Sequence, residues 1–367
     1  MRILLLSKAC IVGIYQRKLE EIARLGVELL ALVPPSWKDE RGETLLERAY
    51  TDGYRLETLP IRFNGDFHLH HYVGLAPRIR EFRPHIVHID EEPYNAATWQ
   101  ALFHSRRARA KTLFFSWQNI NRRYPVPFRW GEQWVLRSVD HAIAGTDSAA
   151  QVWREKGYRG PISVIPQFGV DSTLFTPPLG RAADQPFTIG YIGRLVEEKG
   201  VHLLIDAAAQ LADHNWQIRV TGGGPQRAAL EAWVRRLGLG ARVQFCDQIP
   251  SMQMPQQYQE IDVLVLPSLT RPNWKEQFGR VLIEAMASGV PVIGSDSGAI
   301  PDVIGSAGLI FPEGDANALA MHLHQLQHSP ELRDHLRQKG RARVLAHFTH
   351  EQVAAATVRV YREMSAN

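Results

Sequence analysis

No run in this 367-residue sequence approaches the roughly 20 consecutive apolar residues that a membrane span needs, and Met1 to Lys8 is too short for a signal-peptide core. A soluble, cytoplasmic protein is expected. Cysteine is almost absent: Cys10 and Cys246 lie far apart, each beside an apolar run, which excludes a disulfide framework and cysteine-based metal ligation. The histidines His68, His70 and His71 have no carboxylate or cysteine at ligand spacing, so no metal site is expected there. Neither opening β-rich run is followed by G-x-G-x-x-G, which removes a nicotinamide oxidoreductase. Strong charge imbalance is lacking too. A net charge of +4 favours anionic partners without choosing between nucleic acid, lipid surface and phosphorylated substrate.

What is present is the ordinary balance of a globular chain, 45% apolar and 22% charged, at a length that suits two domains. Short β-rich runs (Arg2 to Ser7, Val27 to Val33, Tyr54 to Ile61, His85 to Asp90, Lys111 to Trp117) alternate with helical patterns (Gln16 to Leu25, His71 to Phe82, Tyr94 to Arg107, Phe128 to Val139). That alternation predicts a parallel α/β sheet. Residues 171–186, rich in proline and small residues, read as a linker. The pattern then restarts with strands at Phe187 to Gly193, Gln217 to Thr221, Val243 to Cys246, Val263 to Pro267 and Pro291 to Gly294. The expected architecture is α/β, with Rossmann-like domains over 1–171 and 172–349 facing one another across a cleft. A last helix, Glu351 to Met364, is expected to cross back so that 350–367 joins the first domain. Ligands of open α/β folds bind beyond the carboxyl ends of the strands, so function should sit in the loops that follow them.

Three loops of the second half carry the chemistry. In Gly190 to Gly200 a strand ends, and Arg194 and Lys199 flank a helix entrance after Gly193. A guanidinium fork, an ammonium and free backbone amides make a diphosphate site, although a solvated loop would look the same. The run Gly222-Gly223-Gly224-Pro225 lets a ligand or another backbone approach closely, or simply makes a tight turn. In Glu276 to Gly289, Gly279 opens a helix that Gly289 closes, and Glu284 sits among Leu282, Ile283, Ala285 and Met286. A carboxylate buried there needs a polar partner, and the vicinal diol of a ribose is one; an internally paired Glu is the other reading. Glu276, ahead of the helix, would reach the sugar hydroxyls. The amides of Phe278, Gly279 and Arg280 would face diphosphate or hexose.

Taken in order, Gly193-Arg194 with Lys199-Gly200, the glycine turn with Pro225, Glu276-x7-Glu284 and Gly289-Val290-Pro291-Val292 resemble the retaining nucleotide-sugar glycosyltransferases of family four (glycosyl transferases group 1). The resemblance spans the whole C-terminal half and implies the GT-B fold. It implies that Arg194 and Lys199 bind the donor diphosphate, Glu284 the ribose hydroxyls and Glu276 the transferred hexose. It further implies that the loop at Gln248-Ile249-Pro250 brackets the base through backbone groups. Arg194, Lys199 and Glu276 are the expected catalytic groups, and no cofactor is expected, since the nucleoside-diphosphate sugar is a substrate.

The N-terminal half departs from that pattern. Relatives often carry a Gly-Gly pair after the first strand, where this chain has Ser7 to Val12 and one late glycine, Gly13. Many place a histidine after the strand at Lys111 to Phe115, where this chain has Ser116-Trp117-Gln118-Asn119. The strand His85 to Asp90 ends in Glu91-Glu92, and clustered carboxylates raise one another's pKa. Asp90 or Glu91, with Trp117 and Asn119, are therefore expected to hold the acceptor; Glu91 and Glu92 starting the next helix is the alternative. Arg122 to Trp130 mixes cations with aromatics, which suits an anionic membrane surface, a phosphorylated or polysaccharide acceptor, or a solvated face.

The expected reaction is metal-independent hexosyl transfer with retention, from a nucleoside-diphosphate sugar to a hydroxyl of a glycan or lipid-linked glycan of the cell envelope. No D-x-D lies on a suitable loop, and cationic side chains with helix amides can stabilise the departing diphosphate. Location in the cytoplasm, peripherally at the inner membrane face, would fit, and nucleic acid is not an expected partner. A nucleotide-sugar epimerase or hydrolase, or a non-catalytic nucleotide-sugar binding protein, would share the donor site.

Overall fold

The computed structural model describes residues 1–39, 42–177, 185–250 and 253–366. The chain divides into two compact units, Met1–Gly169 with His350–Asn367, and Val170–Thr349. The expected linker over 171–186 includes 178–184, which lie outside the described residues.

In the first unit the elements run β1 (Arg2–Leu6), α1 (Arg17–Arg24), β2 (Glu28–Val33), β3 (Arg55–Thr58), α2 (Leu75–Phe82), β4 (Ile86–Ile89), α3 (Ala96–Arg107), β5 (Lys111–Ser116), α4 (Phe128–Leu136), β6 (His141–Ala144), α5 (Asp147–Glu155) and β7 (Ile162–Val164). The seven strands form one parallel sheet in the order β7-β6-β5-β4-β1-β2-β3. Near-continuous apolar runs such as Ile3-Leu4-Leu5-Leu6, at most 2% exposed, are what a strand covered on both faces requires. Two small antiparallel pairs, Ser36–Asp39 with Gly42–Leu45 and Ile61–Arg62 with His71–Tyr72, were not legible as strands.

The second unit runs β8 (Phe187–Ile192), α6 (Val201–Ala208), β9 (Trp216–Thr221), α7 (Arg227–Arg236), β10 (Val243–Cys246), α8 (Met254–Gln259), β11 (Val263–Leu266), α9 (Arg280–Ala287), β12 (Val292–Ser295), α10 (Ile300–Ile304), β13 (Leu309–Phe311), α11 (Ala316–His328) and α12 (Pro330–His347). Its sheet has six strands in the order β10-β9-β8-β11-β12-β13, again parallel. Both sheets thus reverse direction beside their first strand, the Rossmann-type switch point where a crevice opens. The last helix, α13 (His350–Ala366), packs on α1 in the first unit, and its Tyr361 hydroxyl pairs with His88 Nδ1 at 2.7 Å beneath the sheet.

Two helix starts differ from expectation for local reasons. His71 lies in a strand, and α2 begins only at Leu75 because Gly74, at φ 85°, turns the chain there. The helix expected from Tyr94 begins at Ala96, after Asn95. Glu91 and Glu92 therefore do not begin α3, and the helix-dipole reading of these carboxylates falls.

Candidate functional site

In the second unit the loops after β8, β9, β11 and β12 meet at the carboxyl edge of the sheet. Their approach depends on glycine. Leu195 N donates to Gly223 O at 2.9 Å and Gln226 N to Leu195 O at 3.0 Å, tying the two glycine-bearing loops together. A Cβ on Gly222 would sit 2.0 Å from Gly193 O, so no other residue fits that crossing. Gly223 meets nothing within 4 Å and stays exposed, leaving its backbone open to a ligand.

Lys199 and Glu276, 77 residues apart, form an ion pair at 2.5 Å, and Ser268 Oγ donates to the same Glu276 oxygen at 2.9 Å. Glu276 is 6% exposed and Lys199 half-buried, with its ammonium 4.9 Å from the centre of the Trp274 ring. Gly298, at φ +56°, brings its backbone so close that a Cβ would lie 2.1 Å from Glu276 O. Gly279, at φ 76°, caps the N-terminus of α9, beside the buried Phe278. One turn into that helix, the buried Glu284 accepts a hydrogen bond from Tyr258 Oη at 2.8 Å and faces Arg280 Nε at 2.7 Å, the latter placed as an ion pair rather than an aligned hydrogen bond. Its carboxylate is thus partnered inside the protein, as the internally paired reading had it. A carboxylate offers about four acceptor positions, so two internal partners leave capacity for a diol. Arg194 lies exposed on the first loop, its carbonyl accepting from Tyr191 Oη at 2.7 Å, and Ile249 is half-buried in the loop after β10. The structure therefore brings Lys199 to Glu276 and Glu284 to Arg280. Arg194 and Ile249 are positioned by the same sheet edge.

In the first unit the carboxyl ends of β1, β4 and β5 gather an acidic network. Asp90 accepts from Ser7 Oγ at 2.5 Å and from Gln167 Nε2 at 3.0 Å, and burial raises its pKa. Glu91, 2% exposed, is held by the Lys8 ammonium and by Tyr72 Oη at 3.3 Å, with His70 Nε2 at 3.5 Å. Burial would raise its pKa, but Lys8 and His70 overcome that and hold it at about 2. His70 thus does have a carboxylate neighbour, supplied by tertiary contact rather than sequence spacing. Glu91 is ionised and saturated with donors, which argues against proton transfer through it.

The carboxyl pushed toward neutrality is instead Glu92, which sequence reasoning did not single out. Burial pushes its pKa up to about 7, against hydrogen bonds from Ser116 Oγ at 2.5 Å and Trp117 N at 2.9 Å. The signal lay in the three consecutive acids at a strand end; which one lost its solvent depended on the fold. Trp117 Nε1 donates to Gln167 Oε1 at 2.8 Å, and Asn119 is buried beside it in the chain. Farther along, Trp130 is 65% and Val126 47% exposed next to Arg122, Arg123 and Arg129. Among the described residues no helix is long and apolar enough to cross a membrane.

Residues 178–343 match the family model of glycosyl transferases group 1, and residues 17–186 that of glycosyltransferase family 4. The putative colanic acid biosynthesis glycosyltransferase WcaL of Escherichia coli (strain K12) is 33% identical over 222 residues, 59% of this chain and 55% of that protein. A D-inositol 3-phosphate glycosyltransferase of Corynebacterium urealyticum is 31% identical over 267 residues, 66% of this chain and 61% of that protein. The matches thus span less than two thirds of these relatives' own lengths. Among solved structures, sucrose-phosphate synthase from Thermosynechococcus elongatus superposes with a TM-score of 0.73 at 24% identity, over 100% of this chain and 99% of that one. Anabaena HepE in complex with UDP and glucose gives 0.70 at 19% identity, over 100% of both chains. With two parallel switch-point sheets, adjoining family models that together run from residue 17 to 343, and these structural relatives, the chain belongs to the group 1 glycosyltransferases of the GT-B fold.

Proposed function

We propose that this chain transfers a hexose from a nucleoside-diphosphate sugar to a hydroxyl of a glycan or lipid-linked glycan, retaining anomeric configuration and using neither metal nor cofactor. The observation that carries the reading is the Lys199–Glu276–Ser268 cluster beside the Gly279 turn, at the sheet edge where Gly223 leaves backbone exposed. In it, Lys199 and Arg194 take the charge of the diphosphate, Glu276 the hexose hydroxyls, and Glu284 the ribose. The amides of Phe278, Gly279 and Arg280 add the helix-terminus contribution. The glucosyl C1–O bond, or that of another hexose, breaks toward the β-phosphate while the acceptor hydroxyl attacks C1 from the same face. Its proton passes to the departing phosphate oxygen, so no protein nucleophile is needed. Positive groups aimed at the leaving diphosphate supply the electrostatic stabilisation a metal would otherwise give. HepE's complex with UDP and glucose supports a nucleotide-sugar donor, and the similarity to WcaL supports a cell-envelope polysaccharide product.

On the acceptor side, Asp90, Trp117 and Asn119 frame the acceptor, with Glu92 as the carboxyl that can change protonation near neutral pH. Exposed Trp130 among Arg122, Arg123 and Arg129 supports peripheral contact with an anionic membrane from the cytoplasmic side. The test is a panel of UDP-, GDP-, ADP- and TDP-hexoses with and without lipid-linked and soluble glycan acceptors, product configuration being read by NMR. One donor should be consumed in an acceptor-dependent way to give a retained linkage. Acceptor-independent consumption, or an inverted product, would remove the proposal.

A further inference from the structure

At the opposite, amino-terminal edge of the first sheet lies a cavity of about 770 Å³ that the transfer reaction does not use. Its walls come from the starts of β1, β4 and β5 and the ends of α2, α3 and α13. Five permanently or ordinarily cationic side chains line it, Arg2, Arg80, Arg83, Arg109 and Lys111, above an apolar floor that includes Met1 and Ala108. No Asp or Glu is among its described lining residues.

Helix C-termini attract cations, which is the ordinary reason for arginines at this edge. The charges do not balance on that account. Three helix ends supply roughly half a negative charge each, against five positive groups. Two of the five are already engaged: Arg2 Nε donates to Arg83 O at 2.9 Å and Lys111 Nζ to Met364 O at 2.6 Å. The guanidiniums of Arg80, Arg83 and Arg109 form no hydrogen bond or ion pair among the described residues. Arg83 and Arg109 also stand at φ 51° and 57°, two of the three non-glycine residues of the described chain in the left-handed region. Glycine or asparagine takes that conformation more readily, so the turns themselves do not call for arginine.

We propose that this cavity is an anion site for a soluble phosphate-bearing small molecule, whose phosphates meet Arg80, Arg83 and Arg109 and whose body covers the apolar floor. Its volume lies in the range of small-molecule sites, and three guanidinium forks converging on one concave surface suit the oxygens of a discrete polyphosphate. The site is independent of the donor loops and of the transfer reaction.

The experiment titrates tripolyphosphate calorimetrically into the Arg194→Ala/Lys199→Ala protein, in which the donor-loop cations are gone. One binding event is expected, and adding Arg80→Gln, Arg83→Asn and Arg109→Asn should weaken it at least about tenfold, with stronger loss at high salt. Asparagine accepts the left-handed backbone, and an unchanged melting temperature shows that the variant is folded. Absence of binding, or equal affinity in the variant, overturns the proposal. Co-sedimentation with phosphatidylglycerol vesicles that depends on the same arginines, in a protein giving no tripolyphosphate heat, also overturns it in favour of a lipid headgroup. Loss of transferase activity in the Arg194→Ala/Lys199→Ala protein bears only on the donor site.

Discussion

Glu92 gives the sharpest quantitative test of the acidic network. The perturbation is Glu92→Gln, which keeps the acceptor for Trp117 N, while the Ser116 hydroxyl can rotate to accept from the new amide. The folded-state pKa of about 7 stands above the ordinary 4.5. The folded protein therefore binds a proton between these values that the unfolded chain has released. A group raised in this way contributes its full stability below the unfolded pKa and loses it as pH rises through the folded one. The wild-type protein should thus weaken between about pH 4.5 and 7, and the glutamine variant, having no titration there, should not. A displacement of this size corresponds to about 3 kcal/mol, an order-of-magnitude figure. Urea unfolding of the first unit, followed by tryptophan fluorescence at half-unit intervals from pH 4.5 to 8, measures the difference between the two proteins. It should be near zero at the acid end and reach a few kcal/mol in favour of the variant at pH 8. A difference that is constant with pH would refute the burial argument for Glu92.

Three other outcomes follow from the same contacts. Lys199→Ala removes a cation from the proposed leaving group and leaves buried Glu276 with Ser268, so turnover at saturating donor should fall by roughly two to three orders of magnitude; a steady-state kcat near wild type would detach Lys199 from the chemistry. Gly298→Ala forces a Cβ to within 2.1 Å of Glu276 O from a left-handed backbone, and should cost on the order of 1–3 kcal/mol in urea unfolding while lowering kcat through displacement of Glu276. Lys8→Met leaves the Glu91 carboxylate buried without its ammonium, which should destabilise the first unit by about 3–5 kcal/mol at pH 7. Because the pKa of Glu91 is held low, that loss should shrink as pH falls from about 4.5 toward 2, checked by denaturation at acid pH.

The alternation of β-rich runs and amphipathic stretches made both sheets legible, because a parallel strand buried on two faces has to be apolar throughout. The loops of the proposed donor site were legible for a similar reason. Gly222, Gly279 and Gly289 stand where backbone crossings or positive φ disfavour a side chain, and Glu284 stood out as a charge inside an apolar helix. What the chain order hid was pairing across distance. Nothing local links Lys199 to Glu276, Lys8 to Glu91 or Tyr258 to Glu284. The protonation order of Asp90, Glu91 and Glu92 was hidden in the same way, since it depends on which neighbour supplies a cation and which only removes water.

The two switch points carry the same kind of ion pair in different circumstances, and that difference bears on which of them a ligand could exchange. In the first unit, Lys8 follows β1 and Glu91 follows β4; in the second, Lys199 follows β8 and Glu276 follows β11. Each switch point thus holds one lysine–glutamate pair drawn from the two strands that flank it. Around Glu91 the donors include Lys8, Tyr72 and Asn95, and its side chain is fully buried, so withdrawing Lys8 strands a charge without a ligand to replace it. Around Glu276 the lysine stays 20% exposed over the Trp274 ring, and Ser268 remains on the carboxylate when the ammonium turns away. Under the proposed function, a diphosphate arriving at that edge would offer Lys199 a second anion, and a hexose hydroxyl would offer Glu276 a second donor. In the proposed exchange Lys199 keeps an anionic partner in the diphosphate, while Glu276 keeps Ser268 and gains a neutral hydroxyl donor, so neither charged group is left without a polar partner.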